Sequence, residues 1–323
     1  MFGTKYLTHP ETLTHWNTGV PFAEGIVELR FAGDGYRFIG LSAEQQDLIQ
    51  KIYPYSWETP AEGPVGLTEV SVFYRGKSEF RDIELKGWQY DLDILYSEAM
   101  VQIAGLGFVA KITWTPRLRG FLWTSEQGEG AFHGVFENFL RILIAYRLLE
   151  RGGVMLHSAA FTMNTMVPLF IGRSGHGKST VSAMALNAGK RVLSDDLNAV
   201  VIDGDSLWVL WVPFYGDVAS PFQGPQGYSL QAFYLLEKSD RNAVSSEPKA
   251  QMLAHLISCS PYVNLDPYRY GRLMESLGWM CSRTGCYRLE FRKEGGFLER
   301  LTGGPSPEQG IIRSGSEDTS YVC

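Results

Sequence analysis

Cysteine is scarce. The 323 residues contain 4, at Cys259, Cys281, Cys286 and Cys323, with none in the first 258 positions and no CxxC pair. That is too few and too one-sided for a disulfide framework, so a reducing compartment is expected and a cysteine-bound metal is not. Basic residues form no dense block, and 29 Lys plus Arg against 35 Asp plus Glu leave a net charge of −6. A nucleic-acid binder needs a basic stripe to displace counterions, so nucleic acid is not an expected partner. No apolar run reaches the ~18 residues that span a bilayer, and the opening MFGTKYLTHPETLTHW lacks the unbroken apolar core of a secretion signal. The expectation is a soluble, cytoplasmic protein with no membrane contact. No internal repeat is visible, which sets repeat architectures aside.

Apolar and aromatic residues are plentiful: 45% of the chain is hydrophobic against 20% charged, with 18 Phe, 16 Tyr and 8 Trp. Burying that surface offsets chain entropy, so a globular fold follows, and the length favours two domains or one large one. Up to about residue 130, short alternating stretches meet glycine-containing turns. Ile26 to Phe31 precedes Ala32-Gly33-Asp34-Gly35, Val70 to Tyr74 precedes Arg75-Gly76-Lys77, and Tyr90 to Tyr96 alternates likewise. These read as β-hairpins, with a short helix at Leu41 to Lys51, giving a β-rich α+β region over 1–130.

From Phe132 to Arg151 apolar residues recur at helical spacing on nearly all sides, with Gly152-Gly153 as the stop. Next comes an expected hairpin, Val154 to Phe161 and Val167 to Ile171, turning at Asn164-Thr165. A helix is predicted over Ser179 to Asn187, then strands at Arg191–Ser194, Ala199–Ile202, Leu207–Trp211 and Leu230–Leu236. Pro248 and Pro267 each suit a helix start, the second capped by Asp266 and running to Ser282, and Tyr287, Leu289 and Phe291 alternate as a strand. This gives a second unit over 131–302, and the composition of 303–323 is that of a flexible tail.

The second hairpin strand runs into Gly172-Arg173-Ser174-Gly175-His176-Gly177-Lys178-Ser179-Thr180, a complete G-x-x-x-x-G-K-[ST]. Gly172, Gly175 and Gly177 let backbone N–H groups of the loop, Ser174 included, converge on phosphate oxygens. Lys178 would reach the β and γ phosphates, the Ser179 hydroxyl would hold Mg²⁺, and the helix that follows, with Thr180 in its first turn, adds its positive end. One helix later, Arg191-Val192-Leu193-Ser194 ends in Asp195-Asp196. A parallel crossover would set these carboxylates beside the loop, where one can help hold Mg²⁺ and the other accept a hydroxyl proton. The bland alternative is that they cap a turn. Arg173 and His176 fill free positions of the pattern and read as solvated. His157, on the strand before, is by position alone a core histidine.

Its spacing changes that reading. His157 in Leu156-His157-Ser158-Ala159 lies 21 residues before Lys178, and Asp195 in Leu193-Ser194-Asp195-Asp196 lies 17 after it. In these three pieces the chain resembles the HPr kinase/phosphorylase family, bacterial P-loop kinases that share a core with ATP-dependent phosphoenolpyruvate carboxykinase. The resemblance covers roughly residues 150–300 and implies an α/β fold, a P-loop kinase core of that type preceded by the β-rich region. It implies that Lys178 contacts the β phosphate, Ser179 binds Mg²⁺ and His157 lies near the transferred phosphate. Asp195 would be the base for the substrate serine and Asp196 would serve metal or orientation, with the two roles exchangeable. Thr180 stands where the bifunctional enzymes carry Glu, and their Glu-x-Arg-Gly-x-Gly stretch is missing, Trp211 to Asp217 occupying that region. Phosphorylase activity, and HPr as substrate, therefore stay open. The pattern is more similar to divergent relatives such as lasso-peptide precursor kinases, which phosphorylate a peptide serine.

The leading expectation is thus an ATP- and Mg²⁺-dependent kinase acting on a serine of a peptide or protein, with homo-oligomerisation open. Three alternatives compete: a non-catalytic nucleotide sensor or assembly protein, a transporter-type ATPase, which would need an LSGGQ-like stretch absent here, and a carboxykinase-like enzyme of a small metabolite. Arg241, Arg269, Arg272 and Arg288 are candidates for stabilising transition-state charge, each more readily a surface residue. Trp57, Trp88, Trp114 and Trp123 could read a peptide by strand addition, although such residues more often fill a core.

Overall fold

In the computed structural model, which describes residues 2–54, 66–83, 91–173, 175–218, 227–293 and 296–302, one long helix separates two sheets along the chain. That helix, α2, runs over Glu129–Glu150 and buries Phe132, Val135, Phe136, Phe139 and Leu140, then five consecutive residues from Ile142 to Tyr146. It stops where Gly152 turns to φ +77°, with Gly153 N–H donating to the Leu148 carbonyl.

The first sheet has seven strands: β1 Gly25–Phe31, β2 Asp34–Leu41, β3 Leu67–Tyr74, β4 Asp93–Tyr96, β5 Met100–Gly105, β6 Phe108–Thr113 and β7 Arg119–Thr124, in spatial order β1-β2-β3-β7-β6-β5-β4. β1 and β2 form the expected hairpin, its turn made by Ala32 and Gly33, both at positive φ. The second expected hairpin is not formed. β3 instead lies parallel between β2 and β7, reached through α1, Ala43–Ile52, which opens on a capping box of Ser42 and Gln45. Alternation assigned β3 its faces but carried no information about its neighbours.

The second sheet has eight strands: β8 Val154–Phe161, β9 Met166–Ile171, β10 Val192–Ser194, β11 Leu197–Asp203, β12 Ser206–Leu210, β13 Gly227–Lys238, β14 Ala243–Ser246 and β15 Gly285–Phe291. Helix α3, Lys178–Asn187, links β9 to β10. β8 pairs antiparallel with β9, with β10 and with β11, so β9 and β10 run parallel to each other with β8 inserted between them. The crossover thus keeps its expected sense but skips one strand, and the skipped strand carries His157. β10 and β11 follow one another along β8 and are interrupted only at Asp195-Asp196.

Helix α4, Lys249–Ser258, starts behind Pro248 as expected, and α5 spans Tyr270–Arg283. α5 begins later than Pro267 because the buried Asp266 carboxylate accepts from Tyr268 N–H, the Tyr146 hydroxyl and Arg269, which holds 266–269 in a turn. A short α6, Phe297–Thr302, and strand β14 were not expected. One continuous set of buried side chains extends from Val27 of β1 through α2 to Cys286 of β15, so both sheets pack against the same helix. Among the described residues no helix is long and apolar enough to cross a membrane. The expected tail, 303–323, and Trp57 and Trp88 lie outside the described residues.

Candidate functional site

The buried end of β9 feeds Gly172, after which the chain turns twice through backbone conformations that favour glycine, φ +80° at Gly175 and +103° at Gly177. At Gly177 a Cβ would also lie 2.5 Å from the buried Phe291 ring. Gly177 is the N-cap of α3, so no side chain caps the helix, and its first N–H groups remain for an anion. Lys178 is buried at the head of the helix, its ammonium donating to the carbonyls of Gly172 (2.9 Å) and Arg173 (3.4 Å). Burial pushes its pKa down, opposed by Cys259, Asp196 and Asp195. Ser179 and Thr180 are half-buried in the first turn. His176 is exposed, and its ring reaches the Leu236 carbonyl at 3.3 Å. Ser174 lies outside the described residues.

The two aspartates differ. Asp195 is buried, and its oxygens accept the backbone N–H groups of Gly216 (2.9 Å) and Val218 (3.3 Å), anchoring the segment after β12. Ser194 reinforces the corner by donating to the Phe214 carbonyl and accepting from Asp196 N–H and Leu197 N–H. The Asp196 carboxylate accepts no hydrogen bond from the described residues; its contacts are longer, the His157 Nε2 at 3.5 Å and, as a charge pair, Arg141 Nη1 at 3.3 Å. His157 faces Leu197 across the β8–β11 pairing, and its backbone N–H donates to the Cys259 carbonyl at 2.7 Å. Burial, and after it the Lys178 charge, depresses the His157 pKa, with Asp196 acting in the opposite direction. His157, Lys178, Asp195 and Asp196 thus come within electrostatic reach of one another around the loop.

Two further residues border Asp196. Arg141 closes a polar stripe on α2, His133-Glu137-Arg141, with His133 Nε2 2.9 Å and Arg141 Nη2 2.6 Å from the Glu137 carboxylate. Its guanidinium also lies 5.1 Å from the centre of the Phe214 ring. Tyr262 follows α4 at φ +68°, in a γ-turn closed by Val263 N–H to the Pro261 carbonyl, and Tyr96 donates to its carbonyl. Its half-buried phenol lies against Arg141. The sequence reading missed both. Arg141 was legible as the last member of an i, i+4 polar series in an apolar helix; Tyr262 had no local signal.

The arginines considered from sequence are engaged elsewhere: Arg241 with Glu290, Arg288 with Glu247 and Glu237, and Arg269 with Asp266 under the Trp114 ring. Arg272 lines a cavity of about 220 Å³ with Trp114, Tyr146 and Tyr268. Trp123 is fully buried.

Among the described residues no group of three or more His, Cys, Asp or Glu is arranged to hold a metal. Mg²⁺ would need only one or two protein oxygens, its shell being completed by phosphate and water. Ser179 and Asp196 are the residues that would supply those oxygens.

No protein-family model and no curated protein matches the sequence. Among solved structures, the chain is similar to the Hpr(Ser) kinase/phosphatase from Coxiella burnetii, with a TM-score of 0.26 and 12% identity over 46% of this chain and 91% of that one. A likeness of this strength carries nothing by itself, and function rests on the chemistry of the site.

Proposed function

We propose that this protein is a kinase that moves the γ phosphate of ATP to a hydroxyl, a serine of a peptide or protein, using a P-loop kinase core of the HPr kinase type built on the second sheet. The observation that carries the reading is the contrast between the two aspartates beside an uncapped glycine loop. Each oxygen of Asp195 accepts a backbone N–H, whereas Asp196 has no hydrogen-bond donor among the described residues and lies next to His157 and within electrostatic reach of Lys178.

Asp196 therefore takes the role of base, accepting the serine proton, and Asp195 holds the corner that aims it. Lys178 exchanges its carbonyl partners for phosphate oxygens, and the α3 N-terminus adds backbone donors, so the protein's contribution is positioning and charge neutralisation. His157, kept neutral by its surroundings, orients the Asp196 carboxylate. Mg²⁺, when bound, would neutralise developing charge on the phosphates, held by the Ser179 hydroxyl and by one Asp196 oxygen, which leaves the second Asp196 oxygen for the serine proton. The buried free cysteines Cys259, Cys281 and Cys286 suit a reducing, cytoplasmic setting.

The test is incubation with γ-labelled ATP, Mg²⁺ and serine-containing peptides, followed by mass spectrometry of the acceptors. Wild type should label a serine, while Lys178→Ala and Asp196→Asn should lower transfer about 10²-fold or more. Nucleotide binding without transfer to any acceptor would favour the sensor.

A further inference from the structure

Arg141 stands in an arrangement that a surface ion pair does not need. Its side chain is 23% exposed at the end of the polar stripe of a largely buried helix, and it faces Glu137 of its own helix, Asp196 from the β10–β11 corner, the Phe214 ring and the Tyr262 phenol. Glu137 holds it by two hydrogen bonds, from Nε at 3.1 Å and Nη2 at 2.6 Å, while its contact with Asp196 at 3.3 Å is a charge pair without a hydrogen bond. The weaker side of this shared guanidinium therefore rests on the carboxylate that the reaction uses.

We propose that Arg141 is a positioning residue that acts as a latch on Asp196, holding that carboxylate in the nucleotide-free protein in competition with the Mg²⁺ of the incoming nucleotide complex. The inference rests on the kinase reading for what Asp196 does, but not for how it is tested. A carboxylate oxygen paired to a guanidinium cannot closely approach a divalent cation without bringing two positive charges together. Metal entry and the Arg141–Asp196 pair are therefore mutually unfavourable, and each must weaken the other to the same extent. Glu137 sets the strength of the latch by drawing the guanidinium back toward α2.

The measurement is a Mg²⁺ titration of fluorescent methylanthraniloyl-ATP binding to the full chain, with unfolding midpoints recorded alongside. Arg141→Gln should lower the Mg²⁺ concentration at half-saturation about fivefold or more. Glu137→Gln, which leaves the guanidinium free to serve Asp196, should raise it, and Arg141→Lys should stay near wild type. A purely structural role would move Arg141→Gln and Glu137→Gln in the same direction, together with stability. An unchanged or raised requirement in Arg141→Gln, or shifts of equal sign in the two variants, overturns the latch. Opposite shifts in a protein that transfers no phosphate would leave the latch standing and remove the kinase. A wild type that binds no nucleotide in the presence of Mg²⁺ would remove both.

Discussion

Both oxygens of Asp195 are filled by backbone N–H groups, so exchanging it for Asn turns an acceptor into a donor facing the Gly216 or Val218 N–H. Asp195→Asn should lower stability by about 1–3 kcal/mol in urea denaturation, the cost of an unsatisfied buried group. Asp196→Asn, losing only one long charge pair, to Arg141, should change stability by about 1 kcal/mol or less while transfer falls by about 10²- to 10⁴-fold. His157 supplies a second check. Its pKa is depressed by burial and then by Lys178, so its ring should titrate below the ordinary 6.5 in NMR, and Lys178→Ala, removing a positive charge, should raise the midpoint. The loop residues were legible because their chemistry is contiguous in sequence. The division of labour between Asp195 and Asp196 was not, since it depends on a segment 21 residues away folding back onto one of them.

At the scale of elements, the glycines of the loop separate strain from collision. Gly175 has φ +80° and open space where a Cβ would stand, so Gly175→Ala should cost about 1–2 kcal/mol from backbone conformation alone. Gly177 combines φ +103° with the Phe291 ring at 2.5 Å, so Gly177→Ala should cost about 2–4 kcal/mol and abolish nucleotide binding, read by denaturation and by fluorescent-nucleotide titration. Helix and strand existence could be read from periodicity: α1, α2, α3 and the β8–β9 hairpin stand close to their expected places. Pairing could not. The pleat reports which residues share a face, and nothing in Leu67–Tyr74 says that its neighbours are β2 and β7, or in Val154–Phe161 that β8 divides the crossover.

Over the whole molecule, α2 is the shared element, with Phe139 fully buried and its ring lying where a side chain on Gly120 of β7 would stand. Further links join the first sheet to the segment between α4 and α5: the Arg269 guanidinium sits 3.4 Å from the centre of the Trp114 ring, and Tyr96 reaches the Tyr262 carbonyl. The described residues should therefore unfold as one cooperative unit, with tryptophan fluorescence and far-ultraviolet circular dichroism giving coincident transitions. Phe139→Ala should shift both together by about 3–5 kcal/mol. The sequence announced an enclosed helix near residue 140 but not what encloses it, because an all-round apolar surface names no partner. The same packing brings a loop, a corner and a helix stripe from separate parts of the chain around one proposed triphosphate site. An ATP acyl phosphate, which transfers its acyl group to an amine lying against the terminal phosphate, tests that convergence most directly when followed by peptide mapping. Lys178 should be the lysine acylated, with Mg²⁺–ATP protecting it; acylation spread over surface lysines and indifferent to ATP would contradict the account.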